Sequence, residues 1–166
     1  LSEEKNLYML LRAVESILSE RVELLIVGDG PMREEIEHWA IGKPVRVLGS
    51  MPREEVARYY AASDLFVFAS TSETQGLVVN EAQSANLPAL VARGGATRFG
   101  IRTPETGIIS RPSLKHYSDH LRDLVEHPEK LLAMRRALEA APPIPGPEQM
   151  AKKVLQVYRS VLHDRA

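Results

Sequence analysis

Five short runs of continuous apolar residues recur along the chain, at 22–27, 45–48, 65–69, 88–92 and 107–109. Runs of this length, without polar alternation, fit strands covered on both faces. The stretches between them carry apolar residues at three- and four-residue spacing, which supplies crossover helices. Strands joined in this way pair in parallel. The expected fold class is therefore α/β, a Rossmann-like doubly wound parallel sheet flanked by helices.

The first helix is marked by Leu7, Leu10, Leu11, Val14 and Leu18, with Ser2 as its expected cap. Pro31 is expected to open a second helix that runs to Ala40. A third starts at Pro52, with Val56, Tyr59, Tyr60 and Ala61 inward. A fourth spans 76–85, and a polar loop fills 93–106. Two helices follow the last strand. One spans 114–126 with Tyr117, Leu121 and Leu124 inward; the other starts at Pro128 and runs through Leu131, Leu132, Met134 and Leu138. Pro142, Pro143, Pro145 and Pro147 cannot be helical. Three segments result: a Rossmann-like domain over 1–141, a proline-rich connector over 142–147 and a C-terminal helix over 148–166. Lys152, Lys153, Arg159 and Arg165 on that helix read as a solvated face.

Composition narrows the function. The 166 residues carry a formal net charge of −1, so no global field favours nucleic acid or an anionic membrane. No apolar run approaches the ~20 residues that span a bilayer, and no signal peptide is evident. Cysteine is absent, which rules out disulfides and thiolate metal sites and fits a cytoplasmic location. The first residue is Leu1, so the chain is expected to be part of a longer protein.

A sheet of this class binds ligands outside the carboxyl ends of its strands. The loops at that edge are 28–31, 49–52, 70–76 and 93–100. Gly28-Asp29-Gly30 invites a dinucleotide fingerprint, but Arg33 stands at the third glycine, which disfavours an NAD-dependent oxidoreductase. The remaining reading is a tight strand-to-helix turn. Glu73 and Glu81 lie eight residues apart around Gly76, which opens a helix. The N–H groups of Gly76, Leu77 and Val78 can hold a diphosphate, and the two carboxylates can accept hydrogen bonds from hydroxyls on either side. A nucleotide sugar has that layout. The same spacing also fits a solvated loop residue and a helix-surface charge. The histidines, His38, His116, His120, His127 and His163, fall on helix patterns or helix ends and read as surface residues.

The run from Glu73 to Glu81 resembles the glutamate–seven–glutamate motif of family-4 retaining glycosyltransferases, also called group 1. Further segments match in order: Glu4-Lys5-Asn6-Leu7, the Gly28-Asp29-Gly30-Pro31 turn, Val47-Leu48-Gly49, Tyr59-Tyr60-Ala61-Ala62-Ser63-Asp64, Leu87-Pro88 and Gly94-Gly95. The resemblance covers nearly the whole chain and implies the C-terminal, donor-binding half of a GT-B fold. It implies transfer of a hexose from a nucleoside-diphosphate sugar (UDP or GDP) to an acceptor hydroxyl, with retention of configuration. Glu73 would face the transferred sugar and Lys5 would neutralise the leaving diphosphate. Glu81 would take the ribose. Gln75, Gly76, Leu77 and Val78 would meet the diphosphate or sugar, with Gly28, Gly30, Leu48 and Gly49 completing the donor site. The family generally needs no metal, so no cofactor is expected beyond the donor substrate. The implied partners are the enzyme's own N-terminal domain and an acceptor sugar or lipid, with peripheral membrane contact through that other half. These residues alone are expected to be inactive.

Two departures from the family pattern stand out. Asn86 occupies a usual glycine, and Ala96-Thr97-Arg98 replaces the common Pro-Glu after Gly94-Gly95. A family strand ending in Gly-Arg is expected before Leu1, in the middle of the sheet. The alternative from another class is a non-catalytic Rossmann-like nucleotide-binding or interaction module.

Overall fold

The computed structural model describes residues 1–19, 22–142, 151, 152, 154–156 and 158, with residues 98 and 99 described in backbone only. A short 3-10 turn, Glu3–Lys5, leads into α1 (Leu7–Glu15). Then β1 (Leu24–Val27), α2 (Arg33–Ala40), β2 (Val45–Gly49), α3 (Arg53–Ala62), β3 (Phe66–Phe68), α4 (Leu77–Ser84), β4 (Ala89–Ala92) and β5 (Gly107–Ser110) alternate. A second 3-10 turn, Thr97–Gly100, lies between β4 and β5, and α5 (Leu114–Glu126) and α6 (Pro128–Glu139) follow. The connector beyond Pro142 and most of 148–166 lie outside the described residues, including Lys153, Arg159, His163 and Arg165. The described residues from 151 to 158 are helical and exposed.

All strand pairs are parallel, and helices flank them, as the alternation of runs requires. Instead of one sheet, the described strands form two, β1-β2 and β3-β4-β5. Burial marks the division. All four residues of β4 are buried, whereas the three of β3 and the last three of β1 are only half-buried. A strand with neighbours on both sides is covered; an edge strand is not. The resemblance expects its central strand at the place where the two sheets part.

The core has two faces. On one, Leu90 and Ala92 of β4 join Leu10, Leu11 and Val14 of α1, Ile36 of α2 and Tyr117, Leu121 and Leu124 of α5. Val67 and Ile108 pack there too. On the other, Ala89 and Val91 meet Val79 of α4 and Ile101, with Phe66, Phe68 and Ile109 alongside. Successive β4 residues thus serve opposite faces, the period-two rule of a strand. Burying each large side chain contributes about 1.5–3 kcal/mol.

Local details differ from expectation. Ser2 does not cap through its side chain; Asn6, left-handed at φ 54°, passes the chain from the 3-10 turn into α1. Asparagine tolerates that conformation because its short amide can bond locally, here to the Met9 sulfur at 3.6 Å; it also reaches the distant Ala69 carbonyl at 3.3 Å. The second helix starts at Arg33, two residues after Pro31, because Pro31 and Met32 complete the turn from Gly30. Ala61 and Leu132 are exposed; Met134 and Leu138 carry the packing of α6. The loop at 93–106 contains a 3-10 turn with a buried threonine.

Candidate functional site at the carboxyl ends of the strands

Glu73 lies in the loop after β3, where three segments meet. Lys5 reaches it from the 3-10 turn at the chain start, Nζ to Oε1 at 2.5 Å, across 68 residues of sequence. From the other side, the Ala96 N–H donates to the Glu73 carbonyl at 2.7 Å. Glycine is required for that second approach. A Cβ on Gly95, at φ +48°, would lie 2.8 Å from the Glu73 nitrogen, and one on Gly94 would lie 2.5 Å from the Thr71 carbonyl. The Gly94-Gly95 pair lets two loop backbones touch. Ser70, fully buried beneath them, donates to the Glu4 carbonyl at 3.4 Å.

Gly76 follows at φ +63°, and α4 begins at Leu77. The Val79 and Asn80 N–H groups bond to the Gly76 carbonyl, so those of Gly76, Leu77 and Val78 precede the intrahelical ladder. Leu77 is exposed, Gln75 is exposed and Val78 is half-buried. Glu81 projects from the second turn of α4, 30% exposed, and pairs with Arg53 Nη2 at 2.5 Å. Sequence reasoning missed Arg53. No spacing rule joins the start of α3 to the middle of α4.

The other sequence-predicted residues sit at the ends of β1 and β2. The Gly28 N–H donates to the Gly49 carbonyl at 2.8 Å and ties the two turns together. Leu48 is half-buried beside Gly49. Leu1 lies across the first turn; its carbonyl accepts from the Met32 N–H at 3.2 Å, and its ammonium donates to the Asp29 carbonyl. The same five-residue segment ends in Lys5 at Glu73. At most about 14 Å of backbone thus connects the two groups of loops. The Asp29 carboxyl is held below its usual range by the Gly30 N–H and then by Arg33.

Thr97 resolves one departure from the family pattern. It is fully buried, and its hydroxyl donates to the Gly94 carbonyl at 2.8 Å. It fastens the loop and offers nothing to a ligand. The Arg98 side chain lies outside the described residues. His38 and His127 are exposed, His116 and His120 half-buried; His116 bonds Ser113 and His127 pairs with Asp123. Among the described residues no group of three metal-ligating side chains occurs, and no helix is long and apolar enough to cross a membrane.

Tyr60 of α3 also faces Glu81. Burial and then the Glu81 charge push its phenol up to about 12, and burial raises Tyr117 as well. Unfolded tyrosine titrates near 10. Above about pH 10 the unfolded state therefore holds fewer protons than the folded one. The stability tied to these neutral phenols is complete below pH 10 and declines as pH rises toward 12. Urea unfolding at about pH 9 and 11 checks this. The loss should be smaller in Tyr60→Phe; an equal loss would exclude Tyr60 as a source.

The sequence matches the model of the glycosyl transferases, group 1, over residues 1–127. Sulfoquinovosyl transferase SQD2 of Arabidopsis thaliana is 39% identical over 92 residues, which are 55% of this chain and 18% of that protein. Sucrose-phosphate synthase of Thermosynechococcus elongatus superposes with a TM-score of 0.80 at 24% identity, over 98% of this chain and 44% of that one. Anabaena Alr3699/HepE in complex with UDP superposes with a TM-score of 0.72 at 22% identity, over 84% of this chain and 41% of that one. The chain thus spans less than half the length of each. These structural likenesses establish a GT-B, Rossmann-like glycosyltransferase fold, and the match over residues 1–127 places the chain in the group 1 glycosyl transferase family.

Proposed function

We propose that the chain is the donor-binding half of a retaining hexosyltransferase that uses a UDP- or GDP-sugar. One observation carries the reading: Lys5 and Glu73 meet at 2.5 Å beside the helix start at Gly76. A cation, an acceptor carboxylate and free helix N–H groups converge there. A hexosyl diphosphate offers the matching parts in order: hydroxyls for Glu73, and phosphate oxygens for Lys5 and the N–H groups of Gly76, Leu77 and Val78. Glu81, one turn further along α4, accepts from the ribose. HepE, a fold neighbour, has been solved with UDP-glucose, which is a ligand of this chemistry.

As the glycosidic bond breaks, negative charge gathers on the diphosphate. A lysine and preorganised N–H groups stabilise that charge more than the ground state, which is the condition for catalysis. Lys5 exchanges Glu73 for the phosphate, so its ammonium stays neutralised throughout. The acceptor, a sugar or lipid hydroxyl, is held by a second domain, and this chain alone is inactive. The protein acts in the cytoplasm.

The test is calorimetric titration of UDP, GDP and their hexose conjugates into the protein carrying this chain. One nucleotide series should bind, and Glu81→Ala should weaken it about 10- to 100-fold, the range for hydrogen bonds to a charged group. No binding at millimolar nucleotide would favour a non-catalytic module. An α-linked product from an α-linked donor, read by NMR, establishes retention; a β-linked product would overturn it.

A further inference from the structure

We propose that Arg53 is a positioning residue of the nucleotide site: it holds one oxygen of Glu81 and so presents the other to the ribose. The inference rests on the donor-site reading above and adds a residue to it.

Arg53 is the first residue of α3, directly after Pro52. A cation at a helix N-terminus opposes the helix dipole, whereas Glu54 and Glu55 in the same turn favour it. Helix stability therefore gives no reason for arginine here. Nor does the ion pair supply much stability, because the Arg53 side chain is 80% exposed. What the pair does is geometric. Nη2 binds Oε1 of Glu81 at 2.5 Å, and the carboxylate is only 30% exposed. Tyr60, two turns along α3 from Arg53, feels the charge of the same carboxylate. The α3 helix thus holds Glu81 through the Arg53 pair. A carboxylate has about four acceptor sites, so Oε2 and the second lone pair of Oε1 remain for a diol. Without Arg53 the side chain must be ordered by the ligand itself, which weakens binding without touching the bond that breaks.

The experiment compares wild type, Arg53→Ala and Arg53→Lys, each with and without Glu81→Ala, in the protein carrying this chain. The readouts are Kd for UDP or GDP, and donor KM and kcat. Arg53→Ala should raise Kd and donor KM about three- to tenfold and leave kcat unchanged. Arg53→Lys should restore most of the loss, since a lysine also reaches the carboxylate as a point charge. On the Glu81→Ala background, Arg53→Ala should add nothing. Unchanged or tighter binding in Arg53→Ala would overturn the inference, the latter by making Arg53 a competitor for Glu81. A further loss on the Glu81→Ala background would also overturn it, because Arg53 would then touch the ligand. A wild-type protein that binds neither nucleotide removes the donor-site reading and this inference together.

Discussion

Replacing Lys5 with alanine is expected to lower kcat about 100- to 1,000-fold, the usual cost of deleting one group that stabilises developing negative charge. The site's geometry argues for an effect on rate and against one on folding. Lys5 is 37% exposed and its partner Glu73 is 18% exposed. A half-exposed pair of this kind contributes at most about 1 kcal/mol to stability. On the donor-site reading the ammonium is worth more in the reaction, where the leaving diphosphate gathers extra charge beside it. Donor KM should change less than kcat, because the charge to be neutralised grows toward the transition state. Lys5→Arg should recover only part of the loss, since a planar fork cannot occupy the place of a compact ammonium at 2.5 Å from Glu73. Steady-state kinetics of the protein carrying this chain, with acceptor present, decide the matter. A kcat within about threefold of wild type, with the fold intact, would remove Lys5 from the chemistry.

The largest effect on stability is expected at Tyr117, with no substrate involved. Its side chain is fully buried, and from α5 its hydroxyl enters the edge of the β3–β4 ladder. It accepts from the Phe68 N–H at 3.0 Å and donates to the Leu90 carbonyl at 2.8 Å. One rung earlier, the Phe66 N–H bonds directly to the Pro88 carbonyl at 2.8 Å. The hydroxyl therefore bonds one donor of β3 and one acceptor of β4 at a point where the two strands stay paired in register, Phe68 opposite Val91. Tyr117→Phe removes two buried hydrogen bonds, a loss of about 1–3 kcal/mol in total. Tyr117→Ala adds a cavity among Leu90, Leu121 and Leu124, for a total of about 3–5 kcal/mol. Against a typical total stability of about 5–15 kcal/mol, the alanine variant should unfold at markedly lower urea. If Tyr117→Phe keeps the wild-type midpoint, the β3–β4 ladder holds without the hydroxyl, which is then dispensable.

The fold class was legible because it rests on composition of short segments. Short continuous apolar runs alternating with amphipathic stretches fit parallel strands joined by crossover helices. The inward faces of α1 and α5 followed from spacing alone: Leu10, Leu11, Val14, Tyr117, Leu121 and Leu124 are all buried. Glu73, Glu81 and the Gly76 helix start were legible too, as types and spacing within one local motif. Lys5 was not. By itself it reads as an exposed lysine at a helix start, and only the fold brings it across 68 residues to Glu73.

Tertiary structure alone decided the rest. Arg53 reaches Glu81 because α3 and α4 are neighbours, a fact about packing that no local pattern encodes. Thr97 turned inward because its hydroxyl satisfies loop carbonyls, so the position where the resemblance expects an acidic residue is spent on the loop itself. Tyr117 looked like one more apolar residue on a helix face, yet its polar tip bonds both strands of a ladder. The sequence by itself determined the elements and the local motif, because those depend on backbone preference and burial within a few residues. Which charges meet, and which hydroxyls are spent on the chain itself, depended on contacts between segments far apart in sequence, and those exist only once the helices and strands have packed.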